Sequence, residues 1–295
     1  MFATAIQTVS GFTRPIHVIS RYYNANNVVP GAATMFFINA KGYALTCRHV
    51  ADLFHLSTAL PQKLAAFKAA AKGPRGKLTP HRHLRNVEKQ FGFTSDTLIE
   101  LQCRFINCVD TFTNISVTAH PTLDLALIHF QGFNTLGANT FPVFPKQANG
   151  EPRQGQFLCR LGFPFPEFNN FAVDPATDSI IWTNVGRIDT PQFPIEGMVT
   201  RHLLDPTGAI VGFEVSTPGL RGQSGGPAFA PDGMVYGVQS FTQHLDLDFD
   251  VDLKVQRGGH IRTVRESAVL HVGHCISAES IKTFLTSHNV SFQQA

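Results

Sequence analysis

The run Gly222-Gln223-Ser224-Gly225-Gly226-Pro227 constrains this chain of 295 residues more than any other segment. A serine framed by three glycines can lie against other backbone where any Cβ would collide. The residues after it decide the fold. Pro227 to Ala230 is a short apolar stretch, Pro231-Asp232-Gly233 a turn, and Met234 to Phe241 an apolar return, so the serine stands at the start of a β-hairpin. The letters also satisfy the G-x-S-x-G pattern of a strand–serine–helix elbow. Two prolines and an Asp-Gly turn occupy the place where that helix would begin, and the elbow reading fails. Taken alone, the run could equally be a surface turn, because Gly, Ser and Pro dominate turns.

A serine hydroxyl is a weak nucleophile near neutral pH unless a base takes its proton. The segment Gly42-Tyr43-Ala44-Leu45-Thr46-Cys47-Arg48-His49-Val50 reads as a short strand with a histidine at its exit, and Ala33 to Ala40 as its hairpin partner across Lys41-Gly42. An imidazole so placed can serve as general base. Asp124 opens the apolar stretch Leu125 to Phe130, where a carboxylate is costly to bury without a partner. It reads either as a turn cap after Pro121 or as the group that fixes the histidine tautomer. The order His49, Asp124, Ser224 matches one of the known chain orders of convergent catalytic triads.

With these residues in hand, the chain resembles the trypsin-like serine peptidases, nearer to the HtrA/Deg-type branch than to digestive trypsins. The resemblance rests on Gly42 to Val50, on Asp124-Leu125-Ala126-Leu127, and on Gly222 to Pro227. It extends to Asp232-Gly233-Met234-Val235-Tyr236-Gly237 and to Gly273-His274-Cys275-Ile276-Ser277 before a terminal helix. It implies that Ser224 attacks a peptide carbonyl, His49 carries the proton, Asp124 orients His49, and the Gly222 and Ser224 N–H groups form the oxyanion hole. It further implies that Ser240, Phe241 and Thr242 bind substrate backbone. Pro218 stands where trypsins hold the acidic base of the specificity pocket, and Thr242 where wide pockets have glycine. Small or medium uncharged P1 residues are therefore expected. Gln223 replaces the aspartate that pairs with a newly cut N-terminus, so zymogen activation of that type is not expected. No PDZ module is recognisable, and the alternative reading is a catalytically silent or partner-activated binding module.

The resemblance implies an all-β chain of two antiparallel six-stranded barrels around a cleft, and short strands between Gly, Pro and Asn turns suit it. The first barrel is expected at about 12–135, the second at about 140–275, and a closing helix at 277–288, all within one peptidase domain. Ser277 can N-cap that helix, with Ile281, Phe284 and Leu285 on one face. A helical insertion at 60–92 interrupts the strands. Pro61 to Lys72 forms one helix and Thr79-Pro80 opens another that ends at Gly92. Between residues 60 and 90 five Lys and three Arg face Glu88 alone, although the chain carries a formal charge of only +3. That stretch is a solvated face, a lid, or a docking surface for an acidic, activating protein partner. Aromatics are not interleaved with the charges, which disfavours nucleic acid.

The N-terminus has no positive region followed by a long apolar one, so it does not read as a signal peptide. No window reaches the length of a membrane span. The five cysteines, Cys47, Cys103, Cys108, Cys159 and Cys275, are odd in number. They read as free thiols in a reducing compartment, hence a cytoplasmic protein. His271, His274 and Cys275 have poor spacing for a metal site, and no metal or cofactor is called for.

Overall fold

The computed structural model describes residues 1–146 and 150–295. It opens with helix α1 (Ala3–Ser10), whose Ala5 and Val9 are buried. The strands of the first half are β1 (Thr13–Tyr22), β2 (Val29–Phe37), β3 (Tyr43–Thr46), β4 (Leu98–Phe105), β5 (Asn114–Ala119) and β6 (Ala126–Gln131). Helices α2 (Arg48–Lys72) and α3 (Pro80–Phe91) lie between β3 and β4. The second half adds β7 (Val143–Phe144), β8 (Phe157–Gly162), β9 (Phe171–Asp174), β10 (Ser179–Trp182), β11 (Phe193–Leu204), β12 (Ile210–Val215), β13 (Pro227–Phe229), β14 (Val235–Arg257) and β15 (His260–Ser277). Helix α4 (Ala278–Ser287) and β16 (Gln293–Gln294) finish the chain.

The sequence implies two closed barrels, and only the second closes. Its order is β11-β12-β15-β14-β13-β8, with β8 pairing back to β11. The first half is an open six-stranded antiparallel sheet, β4-β1-β2-β3-β6-β5. Its β4 edge does not reach β5 because other elements occupy it. Helix α2 packs along β4, and Gln102 Nε2 donates to the Ile180 carbonyl of β10 at 2.6 Å. Glu100 accepts from the Ile180 N–H at 3.2 Å, so the β9–β10 hairpin caps the same edge. One large core of aliphatic and phenylalanine side chains runs between the two sheets and under α4.

The helical insertion differs from expectation in where it begins. Helix α2 starts at Arg48, twelve residues ahead of the expected boundary, and passes through Pro61. Proline costs an interior helix roughly 3 kcal/mol. Leu64 and Phe67, buried against Val87, Phe93 and Ile99, offset it. Helix α3 has the expected limits: Thr79 accepts from the Arg82 N–H, and Gly92 takes the left-handed conformation at φ 67°. The closing helix is as expected too, with the Ser277 hydroxyl accepting from the Ser280 N–H and Ile281, Phe284 and Leu285 buried. Beyond the barrel, β14 and β15 run on as a two-stranded hairpin that turns at Gly258-Gly259. Its Leu247, Phe249, Val251 and Leu253 are exposed and alternate with aspartates.

Candidate active site

His49 is the second residue of α2, two past the N-cap Cys47, rather than part of the strand exit itself. The first backbone N–H groups of a helix lack intrahelical partners. Here the His49 N–H finds Asp124 Oδ1 at 2.9 Å, so a carboxylate from the loop before β6 caps the helix. The same carboxylate holds the ring: Asp124 Oδ2 lies 2.8 Å from His49 Nδ1. The Ser240 hydroxyl donates to Asp124 Oδ2 at 2.5 Å. Burial pushes the Asp124 carboxyl up, but the ring, the Ser240 hydroxyl and the His49 N–H together hold it below its ordinary value. His49 keeps half its side chain exposed, leaving its other nitrogen toward the cleft.

The serine turn belongs to the other sheet and is pinned by the first. The Thr34 N–H donates to the Ser224 carbonyl at 3.0 Å, and the Thr34 hydroxyl donates to the Gly222 carbonyl at 2.7 Å. Gly222 has φ 104° and Gly225 φ 88°, a region unfavourable to side chains. A Cβ on Gly225 would also run into the Thr34 carbonyl and the Thr46 hydroxyl. Gln223 is fully buried. It donates to the Phe193 carbonyl at 3.1 Å and accepts from the Leu220 N–H at 3.0 Å, a neutral clamp in place of an ion pair. Among the described residues, neither the Gly222 nor the Ser224 N–H has an acceptor.

The expected site residues therefore meet. His49, Ser224, Pro218, Ser240, Phe241 and Thr242 all line one cleft of about 480 Å³. Asp124 stands behind His49. The Ser224 hydroxyl donates to the Ser240 carbonyl at 3.0 Å rather than to His49. The Thr242 hydroxyl reaches across to the Gly219 carbonyl at 2.7 Å and ties two walls together. Of the helical insertion, only His49 lines the cleft.

Cys47, His49 and Asp124 are the one group of three possible ligands brought together among the described residues. Burial holds the Cys47 thiol well up and therefore protonated, and it donates to the Gln239 carbonyl. With Asp124 already engaged by His49, the set does not suit a metal. The other candidates diverge, His271 facing His244 while Cys275 points to Gln239. Thr34, Gln239 and Arg160 carry no local sequence signal of a site role, since their contacts join distant segments.

No curated protein matches the chain. Among solved structures it is similar to Rv3671c protease from M. tuberculosis in its active form, with 12% identity, a TM-score of 0.46, and coverage of 98% of this chain and 86% of that one. Residues 33–238 match the family model of the trypsin-like peptidase domain, a span that contains the histidine, the aspartate and the serine turn. The chain belongs to the trypsin-like peptidase family.

Proposed function

We propose that the chain is a serine endopeptidase in which Ser224 is the nucleophile, His49 the general base and acid, and Asp124 the group that orients His49. One observation carries this reading: the His49–Asp124 pair of one sheet and the serine turn of the other open onto a shared cleft, beside two N–H groups without acceptors. Those N–H groups, of Gly222 and Ser224, are the oxyanion donors, each worth roughly 10²–10³ in rate in comparable enzymes. Ser240 to Thr242 offer their outer edge to substrate backbone in the manner of an added strand.

The resting hydroxyl position follows from the same edge. The Ser240 carbonyl that now accepts from Ser224 is the acceptor available to a substrate N–H at P1. Substrate displaces the hydroxyl from it, and Ser224 turns to His49 only when a peptide is bound. Catalytic hydrogen bonds commonly tighten in this way on binding. A silent or partner-activated module is the alternative that the resting geometry favours. Against it, the 218–221 loop is already tied by Gln223, Thr242 and Arg160. If an activating partner exists, the exposed Lys72, Arg75, Lys77, Arg82 and Arg85 suit an acidic one. A reducing, cytoplasmic location fits five free thiols. No described helix is long and apolar enough to cross a membrane.

A fluorophosphonate probe is expected to label the wild-type chain on Ser224 and to leave Ser224→Ala unlabelled, read by intact mass and peptide mapping. An unlabelled wild type would remove the catalytic reading. Gln223→Leu keeps the shape of the clamp but orphans the Leu220 N–H and the Phe193 carbonyl. A displacement of the oxyanion turn by even 1 Å can cost about 10²-fold. We expect kcat/KM to fall roughly ten- to a hundredfold, mostly in kcat, with labelling slowed in proportion. On Pro218 and Thr242 alone the pocket suits a small or medium uncharged P1 residue; Arg160, behind that floor, shifts the balance.

A further inference from the structure

Arg160 is the largest side chain wholly removed from solvent. On β8 it points the same way as Leu158, into the closed barrel, and its guanidinium ends at the floor of the cleft. Nη2 donates to the Thr217 carbonyl at 3.0 Å and to the Pro218 carbonyl at 3.2 Å. Nη1 donates to Gln239 Oε1 at 2.5 Å, and a Cβ on Gly273 would collide with it. The Nε–H has no partner. Among the described residues, no carboxylate lies within ion-pairing distance. The acidic groups that act on its charge are thiols, and burial pushes Cys275 and Cys159 each up to about 12, so both are neutral at physiological pH.

A guanidinium stays charged in a protein interior, and carbonyl acceptors solvate that charge without cancelling it. The field is passed to the cleft through Gln239. Its Oε1 accepts a hydrogen bond from Arg160, and one hydrogen of its Nε2 is donated to the Phe241 carbonyl at 3.0 Å. The second Nε2 hydrogen remains for the cleft that Gln239 lines. Around the opening stand Arg221, His244 and His271, with no Asp or Glu among the lining residues. Among the described lining residues every titratable group is basic.

From this we propose that the specificity pocket takes a carboxylate, so that the peptidase cleaves after Glu or Asp, with Arg160 and Gln239 as its selecting pair. The inference rests on the peptidase reading and refines its P1 class. A bound side-chain carboxylate accepts from the free hydrogen of the Gln239 amide, the Thr242 hydroxyl being committed to the Gly219 carbonyl, and it supplies the counter-charge that the barrel interior lacks. Such preorganised donors act with little reorganisation in a water-poor site.

The test is a set of fluorogenic peptides that differ only at P1, with Glu, Gln, Ala, Leu and Lys, run on the full chain. Glu and Gln share a shape, so their ratio isolates the charge. We expect kcat/KM for Glu to exceed that for Gln by about tenfold or more, and Lys to be the poorest. In Arg160→Met the Glu-to-Gln ratio should collapse towards one. Should that variant fail to fold, the wild-type ratio still decides whether the pocket selects a carboxylate. A Glu-to-Gln ratio near one, or Leu or Ala preferred over Glu, in a chain whose Ser224 still reacts with fluorophosphonate, overturns the pocket assignment alone. Failure of both labelling and cleavage overturns the peptidase reading and this one with it.

Discussion

Replacing Ser224 by alanine is expected to lower kcat/KM for a good peptide substrate by about 10⁴- to 10⁶-fold. His49→Ala should cost nearly as much, and the double variant little more than either alone. In the proposed mechanism the two groups act in one step, in which the hydroxyl attacks only as its proton moves to the ring. Residues acting as one unit are strongly non-additive. On the same proposal, residual activity is expected from the Gly222 and Ser224 backbone N–H groups and from substrate binding, which both variants retain. The fold is a weak contributor to the loss. Ser224 makes one side-chain hydrogen bond, to the Ser240 carbonyl, and the His49 ring is half exposed. Thermal denaturation of each variant beside wild type checks this. If the two single losses multiplied in the double variant, the hydroxyl and the ring would not share a proton, and the assigned roles would be wrong.

The serine turn, the histidine and the aspartate are legible because each lies in a short segment whose own letters carry the geometry. Gly222 and Gly225 mark positive φ, and the Pro-Asp-Gly turn marks the hairpin. Features decided between segments are not legible in this way. Whether the first sheet closes depends on β4 meeting β5, and no local pattern reports that α2 and the β9–β10 hairpin take the edge first. Pro61 looks like a helix start because proline favours first turns; burial of Leu64 and Phe67 carries the helix through it instead. The long hairpin does have a local signal. Apolar residues alternating with Asp from 245 to 253, then Gly258-Gly259, make a strand period followed by a two-residue turn. Arg160 has none, since an arginine in Phe157-Leu158-Cys159-Arg160 looks like an outward residue until the barrel closes over it.

Asp124→Asn tests the orienting role apart from the proton transfer itself. The carboxylate accepts from three donors: the His49 N–H, the His49 ring nitrogen and the Ser240 hydroxyl. An amide of the same shape can accept at one side only. If its oxygen keeps the helix N–H, its NH₂ takes the shorter contact to Nδ1, 2.8 Å against 3.0 Å for the oxygen, which favours Nδ1 as the unprotonated nitrogen. The proton moves to the ring atom facing Ser224, and His49 can no longer accept from the hydroxyl. In the chymotrypsin-type triad this tautomer error costs about 10⁴ in kcat, and we expect a loss of that order here, with KM little changed. The same variant reports on stability. The folded carboxyl lies below its ordinary value, so its stabilising contribution is complete above the unfolded carboxylate range near about pH 4 and is lost as pH falls through the folded value. Asn does not titrate. The variant should therefore lose stability relative to wild type at neutral pH, and the gap should close as the solution is made more acidic. A gap that widened on acidification would mean that the carboxylate is not the species held by His49 and Ser240.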